Sequence, residues 1–481
     1  MSVLVVDIGT SSVRAAVVEP DGACRAEHVV ETLPDSPADG LVEFDARQLG
    51  DAALDASRAA LDAAGPVDAV GISNQRASTV VWDRATGDPV GPGIGWQDLR
   101  TVGACLQLRA EGLRIAPNLS ATKLQWLLDQ HDPDRARDLC FGTVDTWITW
   151  VLSEGAAHVT DASNVAVTGL TTRADPTVFD DALLGHLRIP HRMLPAVADT
   201  SAVVATASVL PGAPPIAALV GDQQASLVGQ GCVRPGDAKI TFGTGGMLDL
   251  NVGPTSPPFA NRGEHGTFPI VAWRRDGHIT WGIEAIMLAA GTSVQWLRDE
   301  LGLIASSADS EAIARECTDT GGVVFVPAPL GLGTPYWDYG ARGALFGITR
   351  GTSRAHIVRA VLEGIAQRGA DLVEAAEHDA QLSIGVLRID GGMSDNGVFV
   401  QALANATQRP VEVSPVREAT TRGAAMLALL ATGEVTDLDD VAAAWKPRVR
   451  VEPGDAFDRE RWRAAIERSR RWIPELSAVD F

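Results

Sequence analysis

The chain has 481 residues, of which 46 % are hydrophobic and 21 % charged, and its formal net charge is −21. This length exceeds what one hydrophobic core usually organises, so we expect at least two domains. The negative charge argues against nucleic acid and membrane surfaces as partners, because both are themselves anionic. The five cysteines are widely spaced and form no C-x-x-C pair, which predicts neither a disulfide framework nor a zinc site.

The first residues, MSVLVVDIGT, lead directly into an apolar strand pattern, without a basic leader or a cleavage site. We therefore expect a cytoplasmic protein. The segment VLVVDIGTSSVRAAVVE predicts two strands joined by a tight turn at residues 9–12. A helix is predicted over residues 45–64, with Asp45 as its N-cap and Gly65-Pro66 as its stop, and VDAVGIS then returns to strand. This alternation predicts an α/β domain with a largely parallel sheet.

A second hairpin pattern, DAKITFGTGGMLDLN, occupies residues 237–251, so a second α/β unit is predicted to begin there. We expect a helix beginning near Glu284, a strand at VVFVPAP, a long helix after Ser353 and a strand, IGVLRID, before a Gly-Gly pair. Two α/β halves with a cleft between them follow from this pattern. We place the domains at residues 1–245 and 246–440, followed by a helical tail at residues 441–481 that packs on the second domain.

Asp7 ends the first apolar strand immediately before a Gly-Thr-Ser-Ser turn, whose backbone N–H groups and small hydroxyls can surround a phosphate. A carboxylate beside phosphates indicates a bridging cation, and Mg²⁺ accepts one or two carboxylates while keeping most of its waters. Arg14 follows two residues after the turn and is placed to neutralise phosphate charge. Taken singly, Asp7 can instead cap the hairpin turn, and Arg14 can be an ordinary surface residue.

Two further glycine-rich turns support a nucleotide site. FGTGG at residues 242–246 offers a second backbone cradle for phosphates, and DGGMSDN at residues 390–396 lets a flat adenosine approach the backbone. Each of these segments alone can be an ordinary turn. The order in which the three glycine-containing turns follow one another along the chain is more specific to a nucleotide site. Neither G-x-x-x-x-G-K-[ST] nor an intact G-x-G-x-x-G occurs in the sequence, so phosphate binding depends on these turns.

Polar residues also follow two buried strand patterns. The segment GDQQAS places Asp222 after PIAALV, where it can orient an attacking hydroxyl and accept its proton in phosphoryl transfer. An N-cap role is the alternative interpretation and is compatible with catalysis. Asn74, Gln75 and Arg76 end the strand VDAVGIS at the same predicted rim and suit sugar hydroxyls. Trp96 can cover an apolar C–H face of a substrate, although tryptophan is more often a core residue.

In these motifs the chain resembles the FGGY family of carbohydrate kinases, and within it the glycerol kinases. The resemblance covers residues 3 to about 440 and is most specific in SNQRASTVVWDRATGDPVGPGIGWQDLRT, GDQQASLVGQG, KITFGTGG and GALFGITRGTSRAHIVRAVLE. It implies two actin-like (ribonuclease H-like) ATPase domains around a central cleft, which close on ATP, Mg²⁺ and a small polyol or sugar. It also implies a homodimer or homotetramer.

The matching motifs imply a role for each candidate residue. The implied activity is transfer of the ATP γ-phosphate to a substrate hydroxyl, with Asp222 as the catalytic base and Asp7 near Mg²⁺. The residues implied to bind the nucleotide are Thr10, Ser11, Ser12, Arg14, Thr244, Gly291, Gln295, Gly392 and Asn396. The residues predicted to face the substrate are Gln75, Arg76, Trp96, Asn118, Asp222 and Gln223.

Three positions depart from the glycerol kinase pattern: Ala77 stands in place of Glu, Asn118 in place of Tyr, and Met247 in place of Phe. Losing a carboxylate that accepts substrate hydroxyls costs roughly 1.5 to 3 kcal/mol, about one to two orders of magnitude in binding. We therefore expect a polyol or sugar of four or more carbons, with compensated drift as the alternative. Two other functions stay open: a catalytically weak regulator that binds nucleotide and sugar on the same fold, and a polyol-independent ATPase.

Overall fold

The apolar strand patterns assemble into two large mixed sheets in a computed structural model that describes residues 1–479. The strands of the first half are β1 (Val3–Ile8), β2 (Ser12–Val18), β3 (Cys24–Glu31), β4 (Glu43–Phe44), β5 (Ala69–Asn74), β6 (Val80–Asp83), β7 (Gly93–Ile94), β8 (Leu139–Gly142), β9 (Val159–Asp161), β10 (Ala196–Ala198), β11 (Ser201–Thr206) and β12 (Pro215–Gly221). The helices of the first half are α1 (Ala46–Ala64), α2 (Val102–Ala110), α3 (Ser120–His131), α4 (Val144–Leu152), α5 (Ala162–Val165), α6 (Asp181–His186) and α7 (Asp222–Gly229), with a 3-10 turn at His191–Met193.

The second half repeats the alternation of strands and helices. Its strands are β13 (Ala238–Phe242), β14 (Gly246–Gly253), β15 (Phe268–Arg275), β16 (His278–Met287), β17 (Val324–Val326), β18 (Ala344–Phe346), β19 (Leu387–Asp390), β20 (Val411–Val413) and β21 (Val449–Val451). Its helices are α8 (Gly291–Asp299), α9 (Asp309–Ala314), α10 (Arg354–Ala380), α11 (Gly397–Thr407), α12 (Ala419–Ala431), α13 (Leu438–Ala444), α14 (Arg459–Ser469) and α15 (Pro474–Ser477), with a 3-10 turn at Gly392–Asp395. No described helix combines enough length with enough hydrophobicity to traverse a bilayer.

Both large sheets are mixed, so the prediction of a largely parallel sheet is wrong. The first sheet has the order β11-β12-β5-β1-β2-β3, in which only the β12/β5 and β5/β1 pairs are parallel. The second has the order β15-β16-β14-β13-β19-β20-β21, in which only β13/β19 and β19/β20 are parallel. The physical reason is that each half opens with hairpins, and a short turn can join only antiparallel strands.

The two sheets divide earlier in the chain than the predicted domain boundary at residue 245. β13 pairs with β14 and β19 of the second sheet, although the prediction assigned it to the first domain. Helix α12 crosses back from the second half and packs on β12, β5 and β1 of the first sheet and on α7. The halves are therefore joined by a shared layer of helices as well as by the chain.

The predicted first hairpin turn, the Asp45 cap and the start of a long helix after Ser353 are confirmed. The backbone N–H of Gly9 donates to the carbonyl of Ser12 at 2.9 Å and closes the first turn. The Asp45 side chain caps α1, and Ser353 forms a capping box at the start of the 27-residue α10. These ends are fixed by residues within one helical turn, which is why the sequence pattern finds them.

Two local predictions in the second half are wrong. No helix begins near Glu284, because this residue lies inside β16, opposite Asp249 of β14 and Phe268 of β15. The segment is rich in β-branched residues, which favour a strand once partners lie on both sides.

The tail at residues 441–481 is not purely helical, since β21 adds an edge strand to the second sheet. The last two residues of the tail lie outside the described part of the chain.

Two glycines bring α7 and α12 into backbone contact. A Cβ atom on Gly423 would lie 1.8 Å from the carbonyl oxygen of Ala225, and one on Gly229 would lie 1.9 Å from that of Ala419. No side chain fits at either crossing position. Helix α7, which begins at Asp222, is thus packed against α12 of the second half near its C-terminal end.

Replacing Gly423 with alanine should therefore destabilise the protein by about 1 to 3 kcal/mol or more through overpacking. Thermal unfolding of the purified protein measures this effect. Gly103→Ala in α2 is the matched control, because nothing lies within 4 Å of the added methyl group and alanine favours the helix by up to about 1 kcal/mol. Equal melting temperatures for the two variants would contradict the close helix crossing.

Candidate active site

The first hairpin brings the predicted phosphate-binding residues together. Asp7 lies opposite Arg14 on β2 and beside Ser73 on β5, whose hydroxyl donates to Asp7 Oδ1 at 2.6 Å. Thr10 Oγ1 accepts a hydrogen bond of 3.4 Å from the Trp96 indole. The turn formed by residues 9–12 therefore lies against both the aspartate and the indole.

The charge around Asp7 is not balanced within the protein. Burial raises the pKa of Asp7 to about 7, and the neighbouring carboxylates of Asp222 and Glu418 act in the same direction. Arg14 opposes them only in part, because its Nη1 also lies 3.2 Å from Glu27 and 3.0 Å from Glu418. Both of these contacts use Nη1, so the other guanidinium nitrogens are the ones that could contact a phosphate.

Arg76 joins the predicted base to the second sheet. Arg76 Nε lies 3.6 Å from Asp222 Oδ1, and Arg76 Nη2 lies 2.5 Å from Glu284 Oε2. The remaining Nη1 atom is buried and has no hydrogen-bond partner among residues 1–479. Burial raises the pKa of Asp222, while Arg76 and the backbone N–H of Gln223 lower it.

Gln75 has a supporting position, which differs from its predicted contact with substrate. Its Nε2 donates to the Gly9 carbonyl at 3.0 Å, and its Oε1 accepts from the Ser78 hydroxyl at 3.0 Å. The side chain thus ties the end of β5 to the phosphate turn. Ala77 follows Arg76 and is buried. Its φ is 61°, a left-handed backbone conformation, at the point where the chain leaves the rim.

Lys123 supports the backbone of two predicted substrate residues, Trp96 and Asn118. It is fully buried, and its ammonium donates to the backbone carbonyls of Trp96 at 3.1 Å and Asn118 at 3.0 Å. Burial lowers the pKa of Lys123 to about 7. The Asn118 side chain itself is exposed, so its amide is available to a ligand.

Gln223 is linked across the cleft to Lys239 of β13. The Lys239 ammonium donates to Gln223 Oε1 at 2.7 Å and to Thr241 Oγ1 at 2.9 Å, and it forms an ion pair of 2.7 Å with Asp249. Because Oε1 is occupied, the Nε2 group of Gln223 is the part available to a substrate.

The predicted nucleotide residues of the second half lie near the carboxyl ends of β13 and β19. The Thr244 carbonyl accepts from the backbone N–H of Ala290, and the N–H of Gly291 donates to Gly243 at 3.0 Å. A Cβ on Gly291 would lie 2.6 Å from the Gly243 carbonyl oxygen, so the start of α8 rests directly on the glycine-rich turn. Gln295 lies one turn further along α8 and is exposed.

The Gly-Gly turn after β19 packs on the end of β13. Gly391 has φ at 86°, and a Cβ there would lie 2.3 Å from the Phe242 carbonyl oxygen. Gly392 is exposed, with open space beside it, so a ligand can approach its backbone. Asn396 caps α11 through Oδ1 and donates from Nδ2 to Ser310 at 3.0 Å, so both ends of its amide have protein partners.

Sequence reasoning missed several charged residues of the cleft. Asp390 Oδ2 accepts from the Ser226 hydroxyl at 3.1 Å, whereas its Oδ1 atom is buried and unpartnered among the described residues. The sequence did contain a signal for the missed residues, because each of them interrupts an apolar strand pattern. Lys239 has a second signal, since only three of the 40 lysines and arginines are lysines. The missed residues are Lys239, Asp249, Glu284 and Asp390.

Two family models cover most of the chain. Residues 2–229 match the N-terminal domain and residues 238–432 the C-terminal domain of the FGGY family of carbohydrate kinases. Among curated relatives, a glycerol kinase of Aromatoleum aromaticum is 43 % identical over 98 % of this chain and 99 % of its own length. A glycerol kinase of Deinococcus radiodurans is 40 % identical over 99 % of both chains.

Solved structures show the same architecture. Plasmodium falciparum glycerol kinase with ADP superposes with a TM-score of 0.89 at 25 % identity, covering 100 % of this chain and 99 % of that one. A ligand-bound xylulose kinase from Lactobacillus acidophilus superposes with a TM-score of 0.83 at 20 % identity, covering 97 % and 96 %. At its lower identity the second structure supports the fold alone.

The buried lysine gives a pH-dependent prediction for the stability of this site. Burial holds the pKa of folded Lys123 at about 7 against an ordinary value of 10.5, so its protonation opposes folding below pH 10.5. The stability of the wild type relative to Lys123→Met should therefore rise between pH 7.5 and 9.5, by up to about 1.4 kcal/mol per pH unit.

Chemical denaturation at several pH values measures this difference. Lys446→Met removes an exposed lysine and is the control, for which we expect no such rise. A constant difference between the wild type and Lys123→Met across this range would contradict the prediction.

Proposed function

Because the chain belongs to the FGGY family of carbohydrate kinases, we propose that its substrate is a polyol or sugar other than glycerol and that Asp222 is its catalytic base. The chain is an ATP-dependent kinase that phosphorylates a hydroxyl of a polyol or sugar. No observation favours a non-catalytic regulator on this fold. The identity of the substrate and the role of each residue form the proposal.

The observation that carries the residue roles is the unpartnered nitrogen of Arg76. A buried donor without a partner costs about 1 to 3 kcal/mol, and Arg76 Nη1 is such a donor in the described chain. A substrate hydroxyl oxygen would satisfy it. Because the same guanidinium contacts Asp222, a hydroxyl bound there lies beside the base.

Asp222 is suited to orient this hydroxyl and to accept its proton. Its Oδ1 accepts from the backbone N–H of Gln223 at 2.7 Å, while Oδ2 has no hydrogen-bond partner among residues 1–479. In phosphoryl transfer the transition state is loose, so positioning and electrostatics dominate and the proton moves late. A raised pKa strengthens Asp222 as a proton acceptor.

Asp7 is the residue that would hold Mg²⁺. Ser73 is the one residue of the described chain that donates a hydrogen bond to the Asp7 carboxylate, and burial raises the pKa of this carboxyl to about 7, so a nearby cation would stabilise its charged form. No group of three or more His, Cys, Asp or Glu residues with metal-holding geometry occurs among residues 1–479. A single carboxylate fits an ion held mainly by water and phosphates, which would neutralise charge on the ATP phosphates.

The two glycine-rich turns are placed to hold the ATP phosphates. The turn at residues 9–12 is beside Asp7, and the turn at residues 243–245 joins β13 to β14. Both present backbone N–H groups without large side chains. Water has to be excluded from the γ-phosphate during transfer, so we expect the two halves to close around it.

The substrate assignment depends on Ala77 and Asn118. Where the glycerol kinase pattern places a carboxylate after the rim arginine, Ala77 offers no acceptor, and the exposed Asn118 amide offers a polar group instead. Both changes favour a longer polyol or sugar, of four or more carbons. Glycerol is the second candidate, favoured by the names of the relatives at 40 to 43 % identity.

The cellular context is proposed on the resemblance and the composition. We expect a cytoplasmic enzyme, since the composition shows no disulfide framework. We expect a homodimer or homotetramer, as in related kinases. Light scattering on the purified protein measures the oligomeric state.

Asp222→Asn should lower kcat by about 100-fold or more while ATP still binds, because the amide keeps the shape but cannot accept the proton. Coupled ADP release measures turnover, and calorimetry with ATP measures binding. Asp181→Asn is the matched control, since Asp181 also begins a helix and is exposed. Turnover near the wild-type rate in Asp222→Asn would overturn the assignment of the base.

A panel of three- to six-carbon polyols and ketoses tests the substrate class. We expect a compound of four or more carbons to give the highest kcat/KM. Ala77→Glu combined with Asn118→Tyr should raise kcat/KM for glycerol by about tenfold or more, because the carboxylate can then accept glycerol hydroxyls. Glycerol as the best substrate of the wild type would reject the proposal in favour of the second candidate.

A further inference from the structure

The Arg76 guanidinium is shared between carboxylates of two different sheets. Its contact with Glu284 on β16 is 2.5 Å, whereas its contact with Asp222 at the end of β12 is 3.6 Å. The Arg76 and Glu284 side chains are only 12 % and 8 % exposed. Since a guanidinium is a rigid planar fork, the shorter contact fixes the direction of its other nitrogens.

Glu284 is held in place by its strand. β16 lies between β14 and β15, where Glu284 faces Asp249 on one side and Phe268 on the other. Asp249 pairs with Lys239 at 2.7 Å, and the carboxylates within ion-pair distance of Arg76 in the described chain are those of Glu284 and Asp222. In the described chain, Arg76 is the one cation within ion-pair distance of Glu284, and a buried carboxylate requires such a partner.

We propose that Glu284 is a positioning residue, which holds Nη2 of Arg76 so that Nη1 points to a substrate hydroxyl and Asp222 stays free to act as the base. This inference rests on the proposed function. Without the charge on Glu284, Arg76 can turn onto Asp222 and form a two-pronged ion pair, which occupies the oxygens that the reaction needs.

Glu284 links Arg76 to the strand that carries the second glycine-rich turn. β16 pairs with β14, which begins at the glycine-rich phosphate turn. The half of the molecule that carries this turn therefore also orients the arginine that contacts the alcohol. Recognition of the alcohol thus depends on the second half, although Arg76 and Asp222 both belong to the first.

Steady-state kinetics of Glu284→Gln with the best alcohol substrate test the inference. We expect KM for the alcohol to rise about ten- to hundredfold, as when one partner of a buried charge pair is removed. KM for ATP should stay within about twofold. Glu284→Asp keeps the charge and should recover part of the loss.

Glu412→Gln is the matched control. Glu412 is a buried glutamate of the same sheet with its own arginine partners, Arg388 and Arg450, and it is not part of the cleft. We expect this variant to change the melting temperature at most and to leave both KM values unchanged.

A double-mutant cycle separates positioning from general support of the fold. In an Arg76→Met background, Glu284→Gln should lower kcat/KM for the alcohol by less than about twofold further, because its effect acts through Arg76. A full additional loss in that background, an unchanged KM for the alcohol in the single variant, or unfolding of both Glu284 variants would overturn the inference.

Alcohol-stimulated ADP release tests the proposed function separately from the role of Glu284. If alcohol stimulates ADP release and Asp222→Asn abolishes the stimulation, the function stands and the Glu284 variants alone decide the inference. An enzyme without alcohol-stimulated ADP release would overturn both.

Discussion

A buried arginine held between carboxylates of two sheets is the constraint on which the cleft depends. Arg76 lies two residues after the end of β5, yet its shorter ion pair is with Glu284 of the other sheet. Around it, buried or half-buried carboxylates outnumber the three cations Arg14, Arg76 and Lys239; the carboxylates are Asp7, Asp222, Asp249, Glu284 and Asp390. Such an excess of negative charge is unfavourable in a low-dielectric interior unless a bound cation compensates it. A divalent ion bound beside Asp7 would supply such positive charge, although the nucleotide phosphates that accompany it bring negative charge of their own.

The parts of the fold that sequence predicted are those set by neighbours along the chain. The turn after Asp7, the Asp45 cap and the start of the long helix after Ser353 each depend on residues within one turn, and all three are present. The predicted helix at Glu284 and the largely parallel sheet were wrong. Each of them depends on which strand lies alongside, and strand pairing is a long-range property that local pattern does not contain.

The same distinction applies to the site. The sequence predicted Arg76 and Asp222 as site residues because each follows a buried strand pattern, and their strands are neighbours in the first sheet. Glu284 was missed because its partner lies 208 positions away in the chain. Gln75 looked like a substrate contact, but packing of the hairpin turn against β5 uses both ends of its amide. The sequence therefore indicated which residue types reach the rim, while the contacts between sheets decide what each of them can bind.

A crystal structure with a non-hydrolysable ATP analogue, Mg²⁺ and an alcohol substrate tests the central claim most directly. The account predicts phosphates between the turns at residues 9–12 and 243–245, the metal ion beside Asp7, and a substrate hydroxyl between Asp222 and Arg76 Nη1. Phosphates bound elsewhere, or Asp7 and Asp222 facing away from the γ-phosphate, would contradict it.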